Sequence, residues 1–488
     1  MYEHSKIGII YPMVKEAKYD GKELYFGNKM VLSISKKFYR KSQITLFKEL
    51  FKNFTAGIVN LKIHVIEKDL PYVLIAEKAY DDAKEVKLGT NDYAIITDDK
   101  KVQLCFSDNK SFAHSFCTLL QTIEILETKK GKEKFGVPQC EIFDEPLIKF
   151  RATHYNIGSS HKFPSVRKII REIGFYKFSH LALEFYSGMF KSKTCKWMTL
   201  KNAFTDKQIK TIIQEARDLG MDIITQINVW GHAPMYSGRS GRHVALENNP
   251  KMQPYYSKTG WEWNILNPEV KKLLKDYMSE VIDLCKPDEY FLIGGDEAVT
   301  YGYERQFYGK DSIKIVCDYV NEMSDWLKTK GLKTMMWGDM LLCNPEWKEV
   351  SQSALTPENS RRMCELISKD VIIVDWQYYA ETIEDIPTTK YISDFGFNTM
   401  IACWTSSKDI KICADNVHRH NYLGFMQTLW ASHLTFTCLL ARSSIACWSS
   451  PDKSLAEDEM KMMMVIDDYL RKLLPPKGVL KKMGSCLR

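Results

Sequence analysis

Asp296 and Glu297 stand side by side at the end of the run Glu289-Tyr290-Phe291-Leu292-Ile293-Gly294-Gly295-Asp296-Glu297. Two carboxyl groups confined to one pocket repel, so one proton is held more tightly, and a tightly held proton suits a general acid. Neighbouring residues on a regular strand point to opposite faces. The two acids can share a pocket only where the chain leaves the strand, and Gly294 and Gly295 permit that turn. The plain alternative is a polar turn after a strand. What argues against it is the aromatic content of comparable positions: Trp337-Gly338-Asp339, Asp375-Trp376-Gln377-Tyr378, Trp404 and Trp430 each close an apolar run. Buried indoles need a partner for their N–H, whereas a ring of indoles around two acids can pack against the C–H faces of a sugar.

The elements that must hold these residues follow from the pattern. From about Ile148 onward, apolar runs alternate with amphipathic segments. Predicted strands are 149–154, 180–185, 222–228, 290–294, 333–337, 371–376, 398–404 and 424–430. Segments such as 205–220, 267–285 and 313–330 carry helical periodicity, and a last helix is expected over 456–474, before Pro475-Pro476. Eight strand–helix units at about 40-residue spacing predict a closed (β/α)₈ barrel, with an open doubly wound sheet as the competitor. In such barrels the chemistry sits where the strands end. Arg151 and His154 on the first strand, Glu184-Phe185-Tyr186 on the second and Asn228-Val229-Trp230-Gly231-His232 on the third therefore join the candidates. Before the barrel, residues 1–145 read as a small α+β domain. Strands are expected at 7–11, 61–66, 72–76 and 93–97 and a helix over 111–126, with the connection beginning at Val137-Pro138. The barrel with its last helix takes residues 146–488.

Composition sets the outer bounds. The chain of 488 residues is 45% hydrophobic and 12% aromatic, enough for a large core. A net charge of +7 is mild, and the one basic run, Lys129-Lys130-Gly131-Lys132-Glu133-Lys134, reads as a solvated loop, so nucleic acid is not an expected partner. No apolar run of about 18 residues predicts a membrane span. Thirteen cysteines form no C-x-x-C pair, and their settings (Cys117, Cys285, Cys403, Cys438) suit reduced core thiols. The amino terminus lacks a signal peptide's apolar segment, and the expected location is cytoplasmic. No H-E-x-x-H, phosphate loop or dinucleotide fingerprint occurs, so no metal or cofactor is expected. His418-Arg419-His420 reads as surface.

The Gly-Gly-Asp-Glu after an apolar strand, Gly231-His232-Ala233 after the third strand and the later tryptophans resemble the family-20 glycoside hydrolases, the β-N-acetylhexosaminidases. The resemblance covers most of the chain. Segment 181–190 and the loop into Leu266-Asn267-Pro268-Glu269 are closest to the hexosaminidase D-like branch. The resemblance implies a retaining exo-hydrolase of terminal β-linked GalNAc or GlcNAc, acting on an oligosaccharide or glycoconjugate. Its mechanism is substrate-assisted, outside the ordinary two-carboxylate scheme. By position, Glu297 is the acid and then the base. Asp296 orients the 2-acetamido group, and Tyr378, with Tyr379 as rival, holds the acetamido oxygen. Arg151 matches an arginine that grips sugar hydroxyls, His232 a histidine near the acid pair, and Trp337, Trp376, Trp404 and Trp430 the walls of the pocket.

The sequence also departs from that family's pattern. Asn156 and Ser159-Ser160 stand where the common branch has Asp and Arg-His, and Glu184-Phe185-Tyr186-Ser187 replaces an aspartate-rich strand end. Glu184 is then a candidate for a sugar-hydroxyl contact. The long segment from Pro234 to Glu262, with Gly238, Arg239, Gly241, Arg242, Tyr255, Tyr256 and Trp261, is expected to form one side of the mouth. Two other readings stay open: a non-catalytic amino-sugar-binding protein, and a two-carboxylate glycosidase for sugars without a 2-acetamido group.

Overall fold

Short runs of three to six residues, buried on both faces, are the natural constituents of a parallel sheet with helices outside it. Eight of them close into one. In the computed structural model, which describes residues 10–57, 59–90, 92–127, 133–233, 244–348, 350–378, 386–430, 436–452 and 459–473, two sheets carry the fold.

The first sheet contains β1 (Glu16–Phe26), β2 (Lys29–Ser35), β3 (Asn60–Ile66), β4 (Tyr72–Ala76), β5 (Tyr93–Thr97), β6 (Lys101–Phe106), β7 (Glu124–Glu127) and β8 (Glu133–Asp144). Its order is β1-β8-β5-β6-β4-β2-β3, with β7 also on β8. All pairs are antiparallel except β2–β3. Helices Lys41–Phe54 and Asn109–Gln121 pack together through Phe47 and Phe116, whose rings stack at 4.1 Å. Asp108 starts the second helix by accepting from the Ser111 N–H, while the Ser111 hydroxyl closes a capping box.

Several expectations are corrected here. The helix expected over 111–126 stops at Gln121, and its last residues become β7. The helix Lys41–Phe54 was legible in its i, i+3, i+4 spacing of Ile44, Phe47, Phe51 and Phe54 but was not read. Val137-Pro138, expected to begin a connection, lies inside β8. Pro138 is tolerated because only β1 borders it there, near a register shift between Tyr19 and Glu23. Of the strand expected at 7–11, the described residues Ile10 and Tyr11 are not strand; the Tyr11 backbone pairs with the Gln121 side chain instead.

The second sheet is a closed barrel of parallel strands: β9 (Arg151–Asn156), β10 (His180–Glu184), β11 (Asp222–Gln226), β12 (Tyr290–Leu292), β13 (Lys333–Trp337), β14 (Ile372–Trp376), β15 (Thr399–Cys403) and β16 (Gly424–Leu429). β16 pairs with β9, which excludes the open sheet. Side chains including Ala152, Ala182, Ile224, Leu292, Met335, Val374, Met400 and Met426 fill its interior. Methionine adapts to irregular space between such layers. Helix starts follow local chemistry: Thr205, Asn267, Asp311, Thr356 and Ser406 each accept a backbone N–H at a helix N-terminus. The last helix runs Glu459–Leu473, and its Tyr469 ring packs on Phe54 of the first domain.

A buried cluster ties the first sheet to the lower end of the barrel. Lys177 donates to Asp144 at 2.9 Å and to the Tyr93 hydroxyl at 2.7 Å, and the Trp448 indole donates to Asp144 at 2.9 Å. The Lys177 ammonium and the Arg151 guanidinium both lie over the Trp448 ring, at 4.5 and 4.7 Å. Burial pushes the Lys177 ammonium down, against the opposing pull of Asp144.

Candidate active site

At the end of β12 the chain turns through Gly294 and Gly295, both at positive φ, and then through Glu297 at φ 52°. A Cβ at Gly294 would stand 2.1 Å from Asn228 Oδ1, and one at Gly231 would stand 1.9 Å from the Asp296 carbonyl oxygen. The loops after β11 and β12 therefore touch through backbone, and only glycine fits. The result is what the sequence required: Asp296 and Glu297, adjacent in the chain, reach one partner. His232 Nε2 is 3.1 Å from Asp296 Oδ2 and 3.4 Å from Glu297 Oε2.

The electrostatics follow from that crowding. Burial alone would lower the His232 pKa, but the carboxylate of Asp296 and then Glu297 outweigh it and push it up to about 11. Asp296 is buried; its Oδ1 has no hydrogen-bond partner among the described residues. The Glu297 side chain is about half exposed, at 48%.

A carboxyl with a raised pKa does lie in this cluster, but the sequence reading had not placed it among the site residues. Asp339, 1% exposed after β13, is pushed up to about 7 by burial and by the Asp296 charge. It accepts the Glu297 N–H at 2.9 Å and the Trp376 indole N–H at 3.3 Å. From Trp376 the contacts continue around the mouth. The Trp376 ring lies 4.8 Å from Tyr378, and Tyr378 lies 5.6 Å from Trp404. Trp430 donates from its indole to the Tyr378 hydroxyl at 2.8 Å and packs on His154 at 4.5 Å. His154 Nε2 is 3.2 Å from Glu184, which also accepts from Asn156 at 2.6 Å and Asn228 at 2.8 Å. Asn228 reaches the His232 carbonyl at 3.5 Å and closes the circuit. All eight strand ends contribute.

Most of the expected residues thus meet. Burial pushes the Tyr378 phenol up, with the Asp296 charge adding to it; its rival Tyr379 lies outside the described residues. Glu184 is in the ring, but its oxygens are occupied by His154, Asn156 and Asn228, which makes it an anchor for three strand ends. Trp337 corrects one expectation. It is 1% exposed and sits beneath Trp430, at 6.0 Å, as a floor inside the barrel rather than a wall.

Arg151 corrects another. It opens β9 at the barrel's lower end, opposite Phe425, and its guanidinium donates to the carbonyls of Ile148, Lys149 and Lys177. The whole barrel length separates it from the mouth. The strand begins two residues later than the 149–154 expected, so Arg151 is its first residue, at the end away from the chemistry.

Tyr186, His154, Asn228 and Asp339 stand at strand ends in the sequence, and the structure adds them to the site. Burial and the charges of Glu184, Asp296 and Glu297 push the Tyr186 phenol up, which places it in the same cluster. Position at or just after an expected strand end was the available signal for all four. Of the long segment 234–262, residues 234–243, with Gly238, Arg239, Gly241 and Arg242, lie outside the described residues. In the described part, Tyr255 bonds Glu269 and Tyr256 stacks on Trp263, away from the acids. Trp261 alone of the aromatics named there reaches them: its indole donates to the Glu297 carbonyl at 2.9 Å and its ring packs on His232 at 4.3 Å. Glu262 ties the same segment to the loop after β12, accepting from Trp230 and from the Thr300 N–H. His418 and His420 are exposed at the end of helix Ser407–His420, as expected.

A closed (β/α)₈ barrel with paired acids and an aromatic ring at its upper mouth has the architecture of a carbohydrate-active barrel. Comparison with known proteins agrees: the model of "Glycosyl hydrolase family 20, catalytic domain" matches residues 170–439, more than half of the chain, and the chain belongs to that family. A beta-hexosaminidase of Vibrio furnissii is 23% identical over 233 residues, 42% of this chain and 37% of that protein. A lacto-N-biosidase of Bifidobacterium bifidum is 20% identical over 232 residues, 45% of this chain and 18% of that protein. The match spans less than half the length of either relative. Among solved structures, the exo beta-N-acetylglucosaminidase of Vibrio harveyi superposes with a TM-score of 0.67 at 15% identity, covering 95% of this chain and 76% of that one. The beta-N-acetylhexosaminidase of Bacteroides fragilis gives 0.67 at 16% identity, covering 95% of each chain. At these identities the structures establish a common fold.

Proposed function

We propose that this protein is a retaining exo-β-N-acetylhexosaminidase that removes terminal β-linked GalNAc or GlcNAc from oligosaccharides or glycoconjugates by substrate-assisted catalysis. The observation that carries the reading is Asp296. One of its oxygens is held by His232, and the other, Oδ1, is a buried acceptor with no partner among the described residues. Buried acceptors are rarely left unmade without reason, and an acetamido N–H is the donor that this one suits.

In the proposed sequence, Asp296 accepts the acetamido N–H and Tyr378 donates to the acetamido oxygen, which attacks C1. The bond from C1 to the leaving oxygen breaks as Glu297 gives that oxygen its proton. Asp296 offsets the positive charge of the oxazolinium. Water then attacks C1, Glu297 takes its proton, and the ring opens to the acetamido sugar with its configuration retained. Trp376, Trp404 and Trp430 form the walls and Trp337 the floor. His232, held protonated between the two carboxyls, keeps them from being driven apart.

The test is hydrolysis of chromogenic β-GlcNAc and β-GalNAc glycosides across pH, with a thiazoline analogue of the oxazolinium as inhibitor and the anomer followed by NMR. Hydrolysis of either sugar with retention, blocked by the thiazoline, is the expected outcome. Thiazoline binding without turnover would leave an amino-sugar-binding protein. Turnover of a plain β-galactoside insensitive to the thiazoline would mean an ordinary two-carboxylate enzyme. We also propose a reducing, cytoplasmic setting, supported by the unpaired buried thiols of Cys117, Cys285 and Cys403.

A further inference from the structure

Glu297 is held in a conformation that it would not choose. A non-glycine residue in the left-handed region costs about 1–3 kcal/mol and persists only where its surroundings enforce it. Glu297 has φ 52°, and both of its backbone polar groups are tied to other strands' loops. Its N–H donates to Asp339 Oδ2 at 2.9 Å, and its carbonyl accepts from Trp261 Nε1 at 2.9 Å. Asp339 is itself fixed, because its other oxygen receives the Trp376 indole at 3.3 Å. Trp261 is fixed by its tilted ring contact with His232, the ring that meets the Asp296 and Glu297 carboxyls.

We propose that Asp339 and Trp261 are positioning residues that clamp the Glu297 backbone from its two ends, and that this clamp, together with the His232 contact to the Glu297 carboxyl, aims the acid. The clamp explains how two adjacent residues come to share one imidazole. Released at either end, Glu297 can relax towards negative φ, and its carboxyl then swings away from Asp296. The side chain is half exposed, and its contact to His232 is lost as the carboxyl moves. The inference rests on Glu297 being the acid, and the experiment separates the two claims.

Trp261→Phe keeps a ring on His232 but removes the N–H. Asp339→Asn keeps the shape but offers an acceptor to only one of its two donors. Two β-N-acetylhexosaminides are compared, one with a poor leaving group that needs the acid and one with a dinitrophenyl group that leaves without it. In both variants kcat for the poor leaving group falls about tenfold, as expected for one lost hydrogen bond, with KM little changed. The dinitrophenyl substrate stays within about twofold. Glu297→Gln gives the same selectivity more deeply. Crystal structures of the variants show Glu297 withdrawn from His232. Equal losses on both substrates, or a lowered melting temperature with the substrate ratio unchanged, overturn the clamp and leave a packing role. So does an unmoved Glu297 in both variant structures. If Glu297→Gln itself shows no leaving-group selectivity, the acid assignment fails, and the structures still decide the clamp. Should Asp339→Asn not fold, Trp261→Phe alone carries both readouts.

Discussion

The two ends of the barrel treat buried charge in opposite ways. At the lower end, Lys177 meets Asp144 with Tyr93 and Trp448 completing the hydrogen bonds, and the Arg151 guanidinium is spent on backbone carbonyls. Every donor named there has an acceptor, and the Lys177 ammonium faces the Asp144 carboxylate. At the upper end, the carboxyls of Glu184, Asp296, Glu297 and Asp339 gather around the imidazoles of His154 and His232. The first arrangement is what a fold needs to join two domains. The second is held in tension: the pKa values of Asp339 and His232 are both driven up, and one oxygen of Asp296 lacks a partner among the described residues. Perturbed groups of that kind mark a working site, and Lys177 warns that a shifted pKa alone does not, because burial pushes it down in a purely structural pair.

The contrast can be broken from either side. The largest effect is expected from Glu297→Gln, which should cost about 10²–10⁴-fold in kcat/KM on a substrate with an unactivated leaving group while leaving the unfolding midpoint where it was; wild-type rates would remove the acid from the upper end. Lys177→Met should do the reverse. It strands the buried Asp144 carboxylate, and a loss of about 3–5 kcal/mol is expected in denaturant unfolding, with kcat of the surviving folded enzyme unchanged. Arg151→Lys is a smaller version of the same test. A compact ammonium cannot serve three carbonyls in one plane, so about 1–3 kcal/mol of stability should go with KM unaffected; a raised KM would restore Arg151 to the sugar.

The smallest effect concerns pH. The proton on Asp339 is held more tightly in the folded chain than in the unfolded one, so the folded state binds more protons between the ordinary carboxylate range and about 7. Stability therefore falls as pH rises through that window, by at most about 1.4 kcal/mol per pH unit. Asp339→Asn should flatten this dependence in unfolding curves measured from pH 4 to 8. His232 acts in the same direction at higher pH: its contribution is full below the ordinary histidine range and is lost on rising towards 11. An unchanged slope in Asp339→Asn would place the tension elsewhere.

How much of this was legible depended on the range of the interactions. The barrel could be read because each strand announces itself locally, as in Met335-Met336-Trp337 or Ile372-Ile373-Val374, and repetition supplies the rest. The small domain could not be read as well. Its strands Glu16–Phe26 and Lys101–Phe106 carry mixed polar and apolar residues whose alternation makes sense only against their partners. Among site residues, Asp296 and Glu297 were visible from type and place, while His232 and Tyr378 were picked out by the resemblance to the family-20 glycoside hydrolases. Asp339 stands at a strand end and Trp261 in the segment expected at the mouth, but their roles were not legible, because each acts on the backbone of Glu297, and a residue's reach to a distant peptide group is not written in its own neighbourhood.

What the sequence determined on its own was the presence of paired acids after two glycines, the tryptophans at successive strand ends, and a repeat long enough to close a barrel. Those are local facts of residue type and spacing. That the first strand begins at Arg151 and so leaves it at the far end, that Trp337 lies beneath the pocket, and that Glu297 is turned towards Asp296 with the help of two other loops, were decided only when the strands closed into the barrel and brought distant backbone groups within hydrogen-bonding distance.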